Sequence, residues 1–152
     1  MPENRLAVRL SLATGLRIND VLSIKTAKVA ERMTVTEEKT GKKRRIYIPR
    51  ALLEDMLRVC GKYYVFEHRL RQNEHRTRQA VFKDLKRAAK LFRLDKDLNI
   101  APHTARKVFA VEKLKKYGDL KRVQKLLNHS DEAVTLVYAM ADILTERRTK
   151  KR

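Results

Sequence analysis

PHTARKVFAVEKLKKYGDLKRVQKLLNHSDEAVTLVYAM, residues 102–140, carries the helical pattern that decides the fold of this chain. Its apolar residues recur at a helical period. Gly118 is placed to end one helix directly before Asp119, a residue type that caps the start of the next. The pattern predicts three consecutive helices, at about 103–117, 120–128 and 131–140.

The residues before this stretch predict further helices and one small sheet. Helical spacing over 4–13 ends at Gly15, and a second short helix is expected to begin near Asn19. Between 33 and 48 apolar and polar residues alternate, and the basic KTGK turn at 39–42 divides this run into a hairpin. Two more helices are expected, at 51–60 and 77–92, the second with the apolar side Val81, Leu85, Ala88, Ala89 and Phe92. The fold class is therefore α+β and mainly helical, with a small antiparallel β-hairpin or three-stranded sheet near the N-terminal third.

The charge of the chain points to a polyanionic partner. Its 152 residues are enough for one domain with a sizeable core, and 37 Lys and Arg against 18 Asp and Glu give a net charge of +19. Because the basic residues are spread along the whole sequence and no apolar stretch could span a bilayer, nucleic acid is preferred over a membrane surface.

Cysteine and histidine usage favours neither disulfides nor metal binding. Cys60 is the single cysteine, so no internal disulfide can form, which fits the reducing cytoplasm. It follows the apolar pattern of its segment and is expected to serve packing. The four histidines lack the close spacing of metal ligands. We therefore expect no metal and no cofactor.

Two N-terminal segments hold residue types that can act on a phosphate, and each also has an ordinary interpretation. Arg17 alone would be a solvated surface charge. However, Leu16 and Ile18 flank it, so its base is expected to be packed and its charge to need an anion, either Asp20 or a phosphate. Lys39 lies in a hairpin tip whose charges are ordinarily only solvated, yet a hairpin can also deliver one lysine into a groove.

Three C-terminal segments are similarly ambiguous when each is taken alone. His103 and Arg106 are three residues apart at a helix start, which places them on one face beside free backbone N–H groups. They could equally be a cap and a surface charge. His129 at a helix junction is ordinarily a structural hydrogen-bonding group, and Tyr138 an ordinary half-buried helical tyrosine.

Taken together, these six residues resemble the active site of the tyrosine recombinase, or phage integrase, family. They follow one another in the family's order, and the sequences around them are similar to the family's motifs over nearly the entire chain. The similar segments are ATGLRINDVLSIK (13–25), EKTGKKRRIYIP (38–49), YYVFEH (63–68), RQAVFKDLKRAAK (78–90) and the stretch quoted above. Lys107 and Asn128 depart from the family's usual histidine and glycine.

The resemblance implies transesterification at a DNA phosphodiester. The hydroxyl of Tyr138 would attack the phosphorus, giving a 3′-phosphotyrosyl link and a free 5′-hydroxyl. Tyrosine is a weak nucleophile at its ordinary pKa of about 10, so His103 would act as its base. Lys39 would protonate the departing 5′ oxygen.

The resemblance also implies a positive clamp on the phosphate. Arg17 and Arg106 would hold the non-bridging oxygens, and His129 would add a hydrogen bond, so that no metal ion is needed. Other basic residues would grip the DNA backbone without reading its sequence. The candidates for this grip are Lys42, Lys43, Arg44, Arg76 and Lys107.

The expected partner is double-stranded DNA, on which the protein is expected to form a tetramer at paired sites. The isolated chain is expected to be a monomer in the cytoplasm. Residues 1–152 are expected to form a single catalytic domain, without the N-terminal DNA-clamping domain that family members normally have. Two alternatives stay open at this point: a DNA-binding module without catalysis, and a type IB topoisomerase-like strand relaxer.

Overall fold

Helices form most of the computed structural model, which describes residues 1–71, 73–92, 101 and 104–127. The helices are α1 (Pro2–Thr14), α2 (Ile18–Leu22), α3 (Arg50–Val59), α4 (Arg78–Leu91), α5 (Thr104–Tyr117) and α6 (Leu120–Leu126). A short 3₁₀ turn covers Thr26–Lys28, and the strands are β1 (Arg32–Thr36) and β2 (Lys43–Tyr47). The predicted fold class, mainly helical with a small antiparallel sheet, is confirmed. None of the described helices is long and apolar enough to cross a membrane.

The two strands form the predicted hairpin, with Met33 opposite Ile46 and Val35 opposite Arg44. Alternate residues of both strands face the core, since successive side chains of a strand point to opposite faces. This alternation continues past β1, so that Glu37 is also buried. The sheet has two strands in the described part of the chain, which favours the hairpin over the three-stranded alternative.

One hydrophobic core joins α1, α2, α3, the hairpin and the segment after α3. Val65 and Phe66 of that segment are buried, whereas Leu70 is 90% exposed, as expected for a connection that crosses the core and then emerges. From α4, Val81 and Ala89 are buried. Two residues of the predicted apolar side are exposed: Ala88, and Phe92, which follows the last residue of α4 and is 75% exposed.

A second cluster joins α5 to α6 through Phe109, Ala110, Val123 and Leu127. Asp119 caps α6 as predicted, because its carboxylate accepts hydrogen bonds from the backbone N–H groups of Lys121 and Arg122. The helix predicted at 131–140 lies outside the described residues.

The end of α1 is a tight corner at Gly15. This residue has a φ of 69°, in the left-handed region, and its N–H donates to the carbonyl of Ser11 at 2.8 Å. The ring of Phe109 lies directly against it: a Cβ at position 15 would be 2.5 Å from the ring carbon Cδ1. Gly15 is therefore required both by the backbone conformation and by the close approach of α5.

We expect Gly15→Ala to lower stability more than the matched variant Gly118→Ala. Both glycines have a positive φ, 69° and 64°, but nothing lies within 4 Å of a Cβ at Gly118. The control should lose about 1 kcal/mol from backbone strain. Gly15→Ala should lose about 1–3 kcal/mol more because Phe109 must move. Urea unfolding measures both; equal losses would contradict the contact with Phe109.

Candidate active site

Arg17 is held where the sequence predicts a packed arginine. It follows the Gly15 corner, and its neighbours Leu16 and Ile18 are buried, so the base of its side chain lies in the core. Only 10% of its side chain is exposed. Its Nη1 donates to Oε2 of Glu37 at 2.7 Å. The anion beside Arg17 is thus a buried glutamate from the end of the hairpin.

Arg106 connects three elements near the start of α5. Its Nη1 donates to the carbonyl of Gly15 at 3.1 Å, and its Nη2 donates to the carbonyl of Leu127 at 2.8 Å. Burial, and then the charge of Arg17, lower the pKa of Arg106 to about 10. The guanidinium therefore keeps its charge at neutral pH, and its planar fork is oriented by two carbonyl groups.

Asp20 and Glu37 are the buried acids among the described residues. Oδ1 of Asp20 accepts a hydrogen bond from the backbone N–H of Glu38 at 2.9 Å. Burial raises the pKa of Asp20, while that hydrogen bond opposes the rise. With both acids ionised, the arginines Arg17, Arg44 and Arg106 still leave this buried cluster with a positive charge.

Lys39 lies at the mouth of a cleft that Arg17 also lines. The cleft has a volume of about 300 Å³, and its walls come from α2, the hairpin turn and the start of α4. They are formed by Arg17, Ile18, Asn19, Asp20, Glu38, Lys39 and Arg78. Lys39 itself is exposed, on a turn that the N–H of Gly41 closes by donating to the carbonyl of Glu37 at 2.8 Å.

The structure brings Arg17, Lys39 and Arg106 of the six predicted catalytic residues to one region. His103, His129 and Tyr138 lie outside the described residues, so their positions relative to this cluster, and the catalytic roles of all six, stay predictions.

The predicted DNA contacts fall into two groups. Lys42 and Lys43 are exposed on the hairpin, and Lys107 is half-buried on α5. Arg44 and Arg76, in contrast, have internal partners. Arg44 donates to the carbonyls of Thr14 and Gly15; Arg76 forms a 3.3 Å ion pair with Glu3. For these two arginines the structure shows contacts within the protein, and a contact with DNA stays a prediction.

Two residues of the site were missed in the sequence. Glu37 could have been found, because the alternation of Met33 and Val35 continues inward to position 37. Arg78 lines the cleft from the first turn of α4, but no spacing distinguished it from the other basic residues. No group of three His, Cys, Asp or Glu side chains in the described ranges is placed to hold a metal ion.

The cluster has the chemical groups that a phosphate-binding site needs. Buried arginines present fixed, charged N–H donors, and a lysine stands beside them at the edge of an open cleft. Such fixed donors stabilise charge that develops on phosphate oxygens, since they need little reorganisation during a reaction.

Comparison with known proteins identifies the class. Residues 2–143 match the phage integrase family. A probable integrase/recombinase of Bacillus subtilis, YoeC, is 29% identical over 91% of this chain and 77% of its own length. The tyrosine recombinase XerA of Pyrococcus furiosus is 29% identical over 89% of this chain and 49% of its own length. The chain spans about half the length of most of the curated relatives it matches.

Solved structures agree in fold. The XerH site-specific recombinase, in a post-cleavage complex with its palindromic difH substrate, has a TM-score of 0.71 at 20% identity, over 89% of this chain and 41% of that one. A lambda integrase tetramer bound to a Holliday junction has a TM-score of 0.65 at 22% identity, over 88% and 42%. The fold is that of tyrosine recombinases.

The chain belongs to the phage integrase family. The resemblance predicted from the six residues and their surrounding segments is thereby confirmed. Its curated relatives are named integrases and tyrosine recombinases, enzymes of site-specific recombination.

The raised pKa of Asp20 predicts how stability depends on pH. Between its ordinary value of 3.8 and its raised value in the folded protein, the folded state binds more protons than the unfolded state, so this residue makes stability fall as pH rises. Asp20→Asn removes this titration and keeps the Oδ1 acceptor. The free energy of unfolding of the wild type, minus that of the variant, should therefore decrease as the pH rises above 3.8, the ordinary pKa of an aspartate. Urea unfolding at several pH values measures it; a difference that rises with pH would contradict the assignment.

Proposed function

We propose that this chain is the catalytic domain of a site-specific DNA recombinase that cuts and rejoins strands through a 3′-phosphotyrosyl intermediate. The observation that carries the proposal is a pair of buried arginines near the Gly15 corner. Arg17 lines the same cleft as Lys39, and Arg106 donates to the carbonyl of Gly15. Membership of the phage integrase family supports it.

Each step of the proposed reaction has a residue of this chain. The oxygen of Tyr138 attacks the phosphorus while its proton passes to His103. The bond from phosphorus to the 5′ oxygen breaks, and Lys39 gives that oxygen a proton. Arg17 and Arg106 bind the non-bridging oxygens and His129 donates to one of them, so negative charge in the transition state is stabilised without a metal ion. A 5′-hydroxyl of another strand reverses the step.

The proposed partner is double-stranded DNA in the cytoplasm. Four copies of the protein assemble on paired DNA sites, and the free chain is a monomer. The excess of positive charge supports the DNA partner. XerH with its difH substrate and lambda integrase as a tetramer on a Holliday junction support both parts by analogy. In this proposal residues 1–152 form a single catalytic domain.

The alternatives differ from this proposal in testable ways. The names of the relatives, integrases and recombinases, do not favour a type IB topoisomerase. A DNA-binding module without catalysis would share the charge of this chain but would form no covalent intermediate.

We expect the chain to form a covalent adduct with nicked DNA. Duplexes with a randomised sequence around a nick trap the intermediate, because the short fragment that carries the 5′-hydroxyl diffuses away and cannot reverse the step. Adducts recovered from denaturing gels can be sequenced to define the preferred DNA. The wild type should give adducts, and Tyr138→Phe should give none, since it lacks the attacking oxygen.

A control for folding accompanies this experiment. Tyr47→Phe changes an exposed tyrosine of β2 and should leave adduct formation unchanged. Absence of any adduct from the wild type, or adducts that persist in Tyr138→Phe, would reject the proposal.

Affinity for DNA should fall steeply with salt. Each neutralised phosphate contributes about −0.9 to the slope of log affinity against log salt concentration. Lys42→Ala and Lys43→Ala, at the exposed tip of the hairpin, should each reduce the slope by about 1. Arg50→Ala, beyond the opposite end of β2, is the matched control and should leave it unchanged. Fluorescence anisotropy with a labelled duplex measures these slopes; a wild-type affinity that hardly varies with salt would contradict a phosphate grip.

A further inference from the structure

Glu37 is a buried charge that the proposed reaction does not use. It is fully buried, and its side chain and backbone contact different parts of the site. Burying an ionised carboxylate is costly unless it is paired, so its position needs a physical reason.

The side chain of Glu37 binds two groups of the site through one oxygen. Oε2 accepts a hydrogen bond from Nη1 of Arg17 at 2.7 Å and another from the hydroxyl of Thr40 at 3.1 Å. Thr40 directly follows Lys39 in the hairpin turn. A single carboxylate oxygen therefore connects the arginine of the clamp with the turn that carries the lysine.

The backbone of Glu37 closes the same turn. Its N–H donates to the carbonyl of Lys42 at 2.9 Å, and its carbonyl accepts from Gly41 at 2.8 Å. The hydroxyl of Thr40 also accepts from the N–H of Lys42 at 3.3 Å. Lys39 thus lies in a turn that begins at Glu37, and the backbone of Glu37 bonds to the far side of that turn at Gly41 and Lys42.

The other carboxylate oxygen faces positive charge. Oε1 lies 3.9 Å from Nη1 of Arg44, and none of the described residues donates a hydrogen bond to it. A carboxylate suits this position, because both of its oxygens carry negative charge. A glutamine would turn its NH₂ group toward Arg17 or Arg44, and donor would then meet donor.

We infer that Glu37 is a positioning residue that couples Arg17 to Lys39. It fixes the position of the arginine that binds the phosphate relative to the lysine that protonates the 5′ oxygen. The inference rests on the proposed function. It requires that loss of the Glu37 carboxylate disturbs both groups at once: the hold on the phosphate and the protonation of the leaving oxygen.

A DNA substrate with sulfur in place of the bridging 5′ oxygen separates these two effects. A thiolate leaves without protonation, since thiols have a pKa of about 8.5, so cleavage of the sulfur substrate does not need Lys39. We expect Lys39→Ala to lose activity on the oxygen substrate and regain it with sulfur. Arg17→Ala should lose activity equally on both substrates.

Glu37→Gln should lose activity on both substrates, as Arg17→Ala does, and should be partly rescued by sulfur, as Lys39→Ala is. Single-turnover cleavage of the oxygen substrate should fall about 100-fold, the effect of a small misplacement of catalytic groups. The sulfur substrate should fall about tenfold, so the sulfur-to-oxygen rate ratio rises about tenfold. Glu31→Gln removes an equal charge from an exposed position just before β1 and should change neither rate. A merely structural effect would lower both rates together and leave the ratio unchanged.

Thr40→Val provides a second variant in case Glu37→Gln unfolds below the assay temperature. It removes the hydroxyl link to the turn and leaves the Arg17–Glu37 pair, so the rate ratio should rise while the sulfur rate stays near that of the wild type. The inference is overturned, and the proposed function survives, if the wild type cleaves DNA but the sulfur-to-oxygen rate ratio of Glu37→Gln equals that of the wild type. If Glu37→Gln is unfolded, an unchanged ratio in Thr40→Val has the same meaning. If the wild type cleaves neither substrate, the proposed function fails and the inference fails with it.

Discussion

The carbonyl oxygen of Gly15 is the point on which the rest of the site depends. It accepts hydrogen bonds from Arg106 of α5 at 3.1 Å and from Arg44 of β2 at 3.4 Å, so one backbone group ties α1, α5 and the hairpin together. It is available because the left-handed turn ends α1 there. Phe109 covers the same corner and leaves no room for a side chain.

Electrostatics around this corner favour an anionic ligand. Three arginines and two acids are buried together, and burial is the main reason why the pKa values of Arg44 and Arg106 are lowered and that of Asp20 is raised. The pKa of Arg106, about 10, still leaves it charged at neutral pH. Carbonyl groups and Glu37 hold the arginine side chains in place, so their N–H donors are already oriented before any anion binds.

Much of the fold could be predicted because it depends on local patterns. Helical spacing, the glycine that ends α1 and the aspartate that caps α6 are readable within a few residues, and alternation identified the hairpin. The placement of Arg44 was less predictable. The alternation of β2 turns it inward with Ile46, although the basic tip around it suggested a surface that faces DNA.

The sequence by itself determined the family, through the order and spacing of residues such as Arg17, Lys39 and Arg106 in segments that cover nearly the whole chain. Only the tertiary structure decided which groups orient them: Arg106 and Gly15 are 91 positions apart, and Arg17 and Glu37 are 20 apart. Hydrogen bonds over such separations depend on how helices and hairpin pack. Local propensity carries no information about that packing, and the partner of a buried charge therefore becomes visible only in the folded chain.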